Sequence, residues 1–134
     1  MSNLKTCNAS KDRSPAARWT EPLAKGWVPI SSYFLANYHR LDQRRGFKPF
    51  EVVFLIHLLS FKWGSDAPFP SQETLALRMG MSSRRVRQIS KDLEDAGYIT
   101  VLRAPRVSNR YIFDGLFNAL EELMTEDGLI SEAA

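Results

Sequence analysis

Between Met81 and Tyr98 the chain reads MSSRRVRQISKDLEDAGY, a stretch marked at both ends and striped between them. Val86, Ile89, Leu93 and Ala96 recur at steps of three and four residues, which gathers them on one side of an α-helix. Ser82 stands where an N-cap belongs, and Gly97 where a left-handed C-terminal residue belongs. The spacing therefore predicts a helix over 82–96 with one face committed to a core.

The opposite face carries Arg84, Arg87, Gln88 and Lys91, with Arg85 on its flank. Its acids, Asp92, Glu94 and Asp95, come only in the second half. That order opposes the helix macrodipole, which favours acids early and bases late by roughly 0.3–1 kcal/mol per charge. Compensation from outside the helix is therefore expected. A polyanion at the N-terminal half would supply it, and an arginine–glutamine face matches the guanine and adenine edges of a major groove. The plainer reading of such a charge run is a solvated helix face.

The flanking segments bear on the choice. Ser71 caps SQETLALRM, in which Leu75, Ala76 and Met79 form an apolar side, and Gly80 ends it three residues before the basic helix begins. Two short helices joined by so tight a glycine turn have the spacing of a helix-turn-helix. After Gly97 the period changes from 3.6 to 2: residues 98–102 and 110–113 read as two strands of a hairpin, with Pro105, Ser108 and Asn109 in the loop. Arg103, Arg106 and Arg110 place positive charge at its tip, suited to phosphates or a minor groove. On any exposed hairpin the same charges also protect an edge strand.

A chain of 134 residues, 44% hydrophobic and 25% charged, fits one soluble domain. The net charge is only +3, but it is unevenly spread. Seven basic and three acidic side chains lie between Met81 and Arg110, against six acidic and no basic ones from Tyr111 to Ala134. A binding face and an opposite pole follow from that asymmetry. Cys7 is the only cysteine, which excludes an internal disulfide. With His39 and His57 it makes no pair at metal-ligand spacing, so no metal or other cofactor is expected. No nucleophile–base pair or phosphate-cradling glycine loop appears either, and an enzyme is not expected. The first residues lack the apolar core of a signal peptide, and the longest apolar run, Val52–Leu59, is too short to span a bilayer. A cytoplasmic location, with no membrane contact and no small-molecule ligand, is the expectation.

The remaining segments frame this module. Residues 1–25 read as a flexible basic N-terminal arm, free or lying on DNA, with Trp19 and Trp27 marking where order begins. Trp27–Ile30 contains Pro29 and is expected to be irregular or at an edge. Ser31 or Ser32 caps a helix over SSYFLANYHRLD with Phe34, Leu35, Tyr38 and Leu41 on its inner face. Arg40, Arg44, Arg45 and Lys48 follow around Gly46 as a basic connector, a solvated loop or a phosphate contact. Pro49 opens a helix through Lys62 that is apolar nearly all round and so covered on more than one side, with Gly64 beyond it. His57 within it reads as a core or boundary histidine. After the loop from Ser65 and the hairpin, Asp114 is expected to cap a last helix with Leu116, Phe117, Leu120, Leu123 and Met124 on one face. Residues 125–134 should fray.

From about Phe50 to Met124 the chain resembles the winged helix-turn-helix modules of bacterial and phage transcription regulators and of plasmid or phage replication initiators. PSQETLALRMGMSSRRVRQISKDLEDAGYI and the closing NRYIFDGL carry the likeness. It implies a mostly α fold with a small β-hairpin wing, a winged helix-turn-helix; residues 1–48 lie outside the likeness, and with the extra N-terminal and C-terminal helices the domain is expected over residues 26–124. The likeness places Ser83, Arg84, Arg85, Arg87 and Gln88 at recognition-helix positions and Arg106 in the wing. The implied partner is double-stranded DNA, with Arg84, Arg85 and Gln88 toward base edges and Arg87, Lys91 and Arg106 on phosphates. A homodimer through Phe50–Phe61 or Leu116–Met124 would suit such a module. The rival expectation is the same fold serving as a protein-interaction module, because winged helices are reused.

Overall fold

The computed structural model describes residues 13–41, 47–62 and 67–131. The expectations placed on residues 1–12, on Asp42, Arg44, Arg45 and Gly46, on Gly64 and Ser65, and on residues 132–134 lie outside it.

Six helices and a two-stranded hairpin follow one another: α1 Pro15–Arg18, α2 Ser32–Asn37, α3 Pro49–Ser60, α4 Gln72–Met79, α5 Ser83–Asp95, β1 Thr100–Leu102, β2 Arg110–Ile112 and α6 Asp114–Glu126. Single 3-10 turns occupy Leu23–Lys25 and Tyr38–Arg40. α3, α4 and α5 pack on one another. Val86, Ile89 and Leu93 of α5 meet Leu75 and Ala76 of α4 and Phe54, Leu55 and Leu58 of α3 in one core. Burying each of the three α5 side chains contributes roughly 1.5–3 kcal/mol.

The signals at the helix ends act as read. Ser71 Oγ accepts the Thr74 N–H and Ser82 Oγ the Arg85 N–H, so both helices of the tight pair start on a serine cap. Gly80 and Gly97 have φ of +65° and +85°, a conformation that other residues adopt only with strain. The left-handed turns let Met81 N–H return to the Ala76 carbonyl and Tyr98 N–H to that of Leu93, which stops each helix abruptly.

β1 and β2 pair antiparallel, Val101 opposite Tyr111. Both of these side chains point into the core, while Thr100, Leu102 and Arg110 face out. Tyr98, Ile99 and Phe113, expected within the strands, flank them as buried, non-strand residues. On its other edge β2 is supported by an extended prolyl segment, Tyr111 N–H donating to the Pro68 carbonyl at 3.0 Å.

Residues before the matched module pack onto it. Phe34, Tyr38, Phe47 and Tyr98 form a chain of tilted and edge-on ring contacts. The Tyr98 hydroxyl donates to the Leu41 carbonyl at 2.6 Å. At the other end of the chain, the Arg40 guanidinium donates through both terminal nitrogens to the Asp127 carboxylate, each at 2.9 Å, and the Tyr33 hydroxyl joins at 2.7 Å.

Several expectations are corrected. Ala96 is exposed: the helix has ended there, at its C-cap, so the residue no longer shares the stripe. Ser90 takes an inward place instead, being 4% exposed. The helix from Ser32 tightens into a 3-10 turn after Asn37, whose amide donates to the Tyr33 carbonyl. Leu35 is left 48% exposed on its outer side. Trp19 and Trp27, 67% and 60% exposed, do not anchor the N-terminal segment, and neither α1 nor the following 3-10 turn buries a residue. Asp114 is the first residue of α6 and makes no side-chain cap; Phe113 holds the cap position. α6 continues past Met124 to Glu126, and Asp127 beyond it is held by Arg40.

Candidate nucleic-acid interface

Six of the nine predicted site residues lie on α5 and three on the hairpin that follows it. Ser83 is the first residue of α5 and is half-buried; Arg84, Arg85, Arg87, Gln88 and Lys91 are all exposed along the helix. Arg103 follows β1, Arg106 lies in the tip loop and Arg110 opens β2, and these three are exposed too. The side chains differ in what they touch.

Among the described residues no ion pair or hydrogen bond engages Arg84, Arg87 or Arg106. Arg106 also has φ of +69°, so the backbone at the wing tip turns through a left-handed residue that is not glycine. Arg85 lies over the Phe50 ring, its guanidinium carbon 4.7 Å from the centroid. A guanidinium stacked in this way keeps its in-plane N–H donors available. Gln88 donates to Asp92 at 2.9 Å, and Lys91 faces Asp95 at 3.6 Å with both ends well exposed. Arg103 donates to Glu94 through both terminal nitrogens, at 3.1 and 3.0 Å. That guanidinium holds the Glu94 carboxyl below its ordinary pKa. Arg110 stacks on Phe69, 4.6 Å from the centroid, and reaches the Ala67 carbonyl.

The misordered charges of α5 are thereby resolved on one half only. Each acid of the C-terminal half has a local partner: Asp92 has Gln88, Glu94 has Arg103 and Asp95 has Lys91. The N-terminal half keeps its arginines beside the positive end of the helix dipole with no acid to offset them. Such a surface has net attraction for a polyanion.

The sequence did not reveal that Phe50, Phe69 and Glu94 hold Arg85, Arg110 and Arg103. Phe50 lies in α3 and Arg85 in α5, with α4 between them, and no local spacing links them. Glu94 and Arg103 are nine residues apart across the Gly97 turn, beyond the reach of a helical or strand period.

The basic connector is not a uniform surface, since Arg40 is committed to Asp127. His57 is partly buried, and burial, with Arg78 nearby, lowers its pKa. Among the described residues no group of His, Cys, Asp or Glu is placed to hold a metal ion, and no helix is long and apolar enough to cross a membrane.

Helix pair, glycine turn and trailing hairpin together define a winged helix-turn-helix. Residues 48–99 match the family model of the helix-turn-helix domain. The fold is similar to the crystal structure of the N-terminal domain of DnaD protein from Geobacillus kaustophilus HTA426, with a TM-score of 0.59 and 24% sequence identity over 89% of this chain and 99% of that chain. No curated protein sequence matches the chain.

Proposed function

We propose that this protein binds double-stranded DNA with sequence preference, laying α5 in the major groove and the wing tip on the neighbouring backbone. The observation that carries this reading is the division of α5: acids paired off in its second half, Arg84 and Arg87 exposed in its first with no ion pair or hydrogen bond among the described residues. Arg84, Arg85 and Gln88 would meet base edges, with Arg85 presented from its Phe50 platform. Arg87, Lys91 and Arg106 would take phosphates and fix register. Arg103 and Arg110, held by Glu94 and Phe69, would contribute charge from fixed positions.

A cytoplasmic transcription regulator or a replication-initiation factor of a plasmid, phage or other mobile element fits this chemistry. Reading an operator commonly takes two copies. α3 is mostly covered within the domain, with Val52, Phe54, Leu55 and Leu58 buried and Val53 exposed. The α6 face, where Leu123 and Met124 stay half-exposed beside the exposed Phe117, is the more suitable of the two homodimer contacts. The exposed Trp19, Leu23 and Trp27 favour, as a second reading, an interaction module that docks on a partner protein.

Selection of duplexes from a random pool separates these readings. A defined winning sequence supports the DNA reading, and a palindromic winner supports two copies. Equal and weak retention of every duplex, with affinity for a protein partner, supports the second reading.

A further inference from the structure

The hairpin that forms the wing has three residues in each strand, too little for stability by itself, so its position depends on what it is tied to. β2 is tied from below by Pro68 and by the burial of Tyr111, whose ring meets Phe54 edge-on. β1 is the outer strand. Arg103, the residue where the chain leaves β1 for the tip loop, is joined to Glu94 in the last turn of α5 by two hydrogen bonds, and it also donates to the Val101 carbonyl at 3.5 Å.

We infer that Glu94 is a positioning residue: acting through Arg103, it fixes the wing tip relative to α5, so that Arg106 and the helix arginines meet one duplex in a single register. This rests on the reading that the basic face binds DNA. The sign of the expected effect separates it from simple electrostatics. A carboxylate beside a polyanion-binding surface opposes binding, so removing its charge should strengthen affinity. If Glu94 holds the wing in place, removing it should weaken affinity instead, because the tip must then be ordered at the moment of binding.

The test compares wild type, Glu94→Gln, Arg103→Gln and the exchanged pair Glu94→Arg with Arg103→Glu, all full-length, on the selected duplex. Glu94→Gln is expected to weaken binding about two- to fivefold, the span of an exposed ion pair, with the salt dependence unchanged. The exchanged pair is expected to recover most of the loss. Binding by Glu94→Gln as tight as or tighter than wild type overturns the inference. So does a flatter salt dependence for Arg103→Gln together with tighter binding by Glu94→Gln, which would make Arg103 a direct phosphate contact. Amide 15N relaxation at Arg106–Ser108 in the DNA-free protein reads the same device independently. Glu94→Gln should lower the order parameters there and the exchanged pair should restore them; no change overturns the inference whatever the DNA result. Failure of the wild type to bind any duplex instead overturns the DNA reading alone.

Discussion

Gly115, in the first turn of α6, lies with its backbone against the carbonyl of Gly97 at the exit of α5, and a Cβ at position 115 would run into that oxygen. The adjacent Leu116 N–H donates to the Tyr98 carbonyl at 2.9 Å. The acidic last helix is thus seated directly on the turn that joins the basic helix to the wing.

Gly115→Ala tests that seat, because two effects of opposite sign compete. Helix propensity alone favours alanine by about 0.5–1 kcal/mol. The obstructing atom is backbone, which cannot rotate aside as a side chain does, so overpacking is expected to win with a net loss of about 1–3 kcal/mol. Urea unfolding measures it; a more stable variant would contradict the close approach.

Ser82→Ala and Ser71→Ala each remove a cap hydroxyl that accepts a backbone N–H, and each is expected to lower stability by about 1 kcal/mol. Replacement of Ser83, which makes no cap bond of this kind, should change thermal unfolding much less.

Asp127 has its pKa lowered from 3.8 to about 2, first by the hydrogen bonds from Arg40 and then by that from Tyr33. Its folded-state pKa lies below the unfolded one, so its stabilisation is complete above about pH 4 and is lost as the pH falls towards 2. Acid unfolding curves should show that Asp127→Asn removes this part of the pH dependence while lowering stability at pH 7.

His57 follows the same sign at a different pH. Burial first, and Arg78 second, lower its pKa, so below the ordinary histidine value of about 6.5 the unfolded chain takes up a proton that the folded chain does not. Stability should fall as the pH drops from about 6.5. His57→Gln should flatten the fall, and an unchanged slope would show that His57 does not contribute to it.

Phe50→Leu keeps an apolar side chain at the start of α3 but removes the ring under Arg85. With a cation–π contact of about 0.5–1 kcal/mol at an exposed site, affinity for the selected duplex should fall about two- to fivefold. The loss should vanish in an Arg85→Ala background, as a double-mutant cycle would read.

The helix-turn-helix was legible because its determinants are local. Ser71, Gly80, Ser82 and Gly97 each act within a turn of where they stand, and the stripe of Val86, Ile89 and Leu93 needs only the helical period. The arginine face of α5 was legible for the same reason. What the sequence concealed depends on contacts between distant residues. Leu35, Trp19 and Trp27 look like core by type, yet nothing in their spacing tells whether another element covers them. Arg40 looks like a free cation in a basic run until Asp127, at the far end of the chain, is placed beside it. The distinction between Arg84, with no partner among the described residues, and Arg103, held by Glu94, exists only once the wing has folded back on the helix.

The central claim is that the unpaired arginines of α5 and the wing tip meet nucleic-acid phosphates and base edges. Its most direct test is the salt dependence of affinity for the selected duplex, measured for wild type and for Arg84→Ala, Arg87→Ala and Arg106→Ala combined, with circular dichroism establishing that the variant is folded. Binding should collapse in the triple variant, and the slope of log affinity against log salt should shrink by about one for each phosphate partner removed. A folded triple variant with wild-type affinity and wild-type slope would contradict the account.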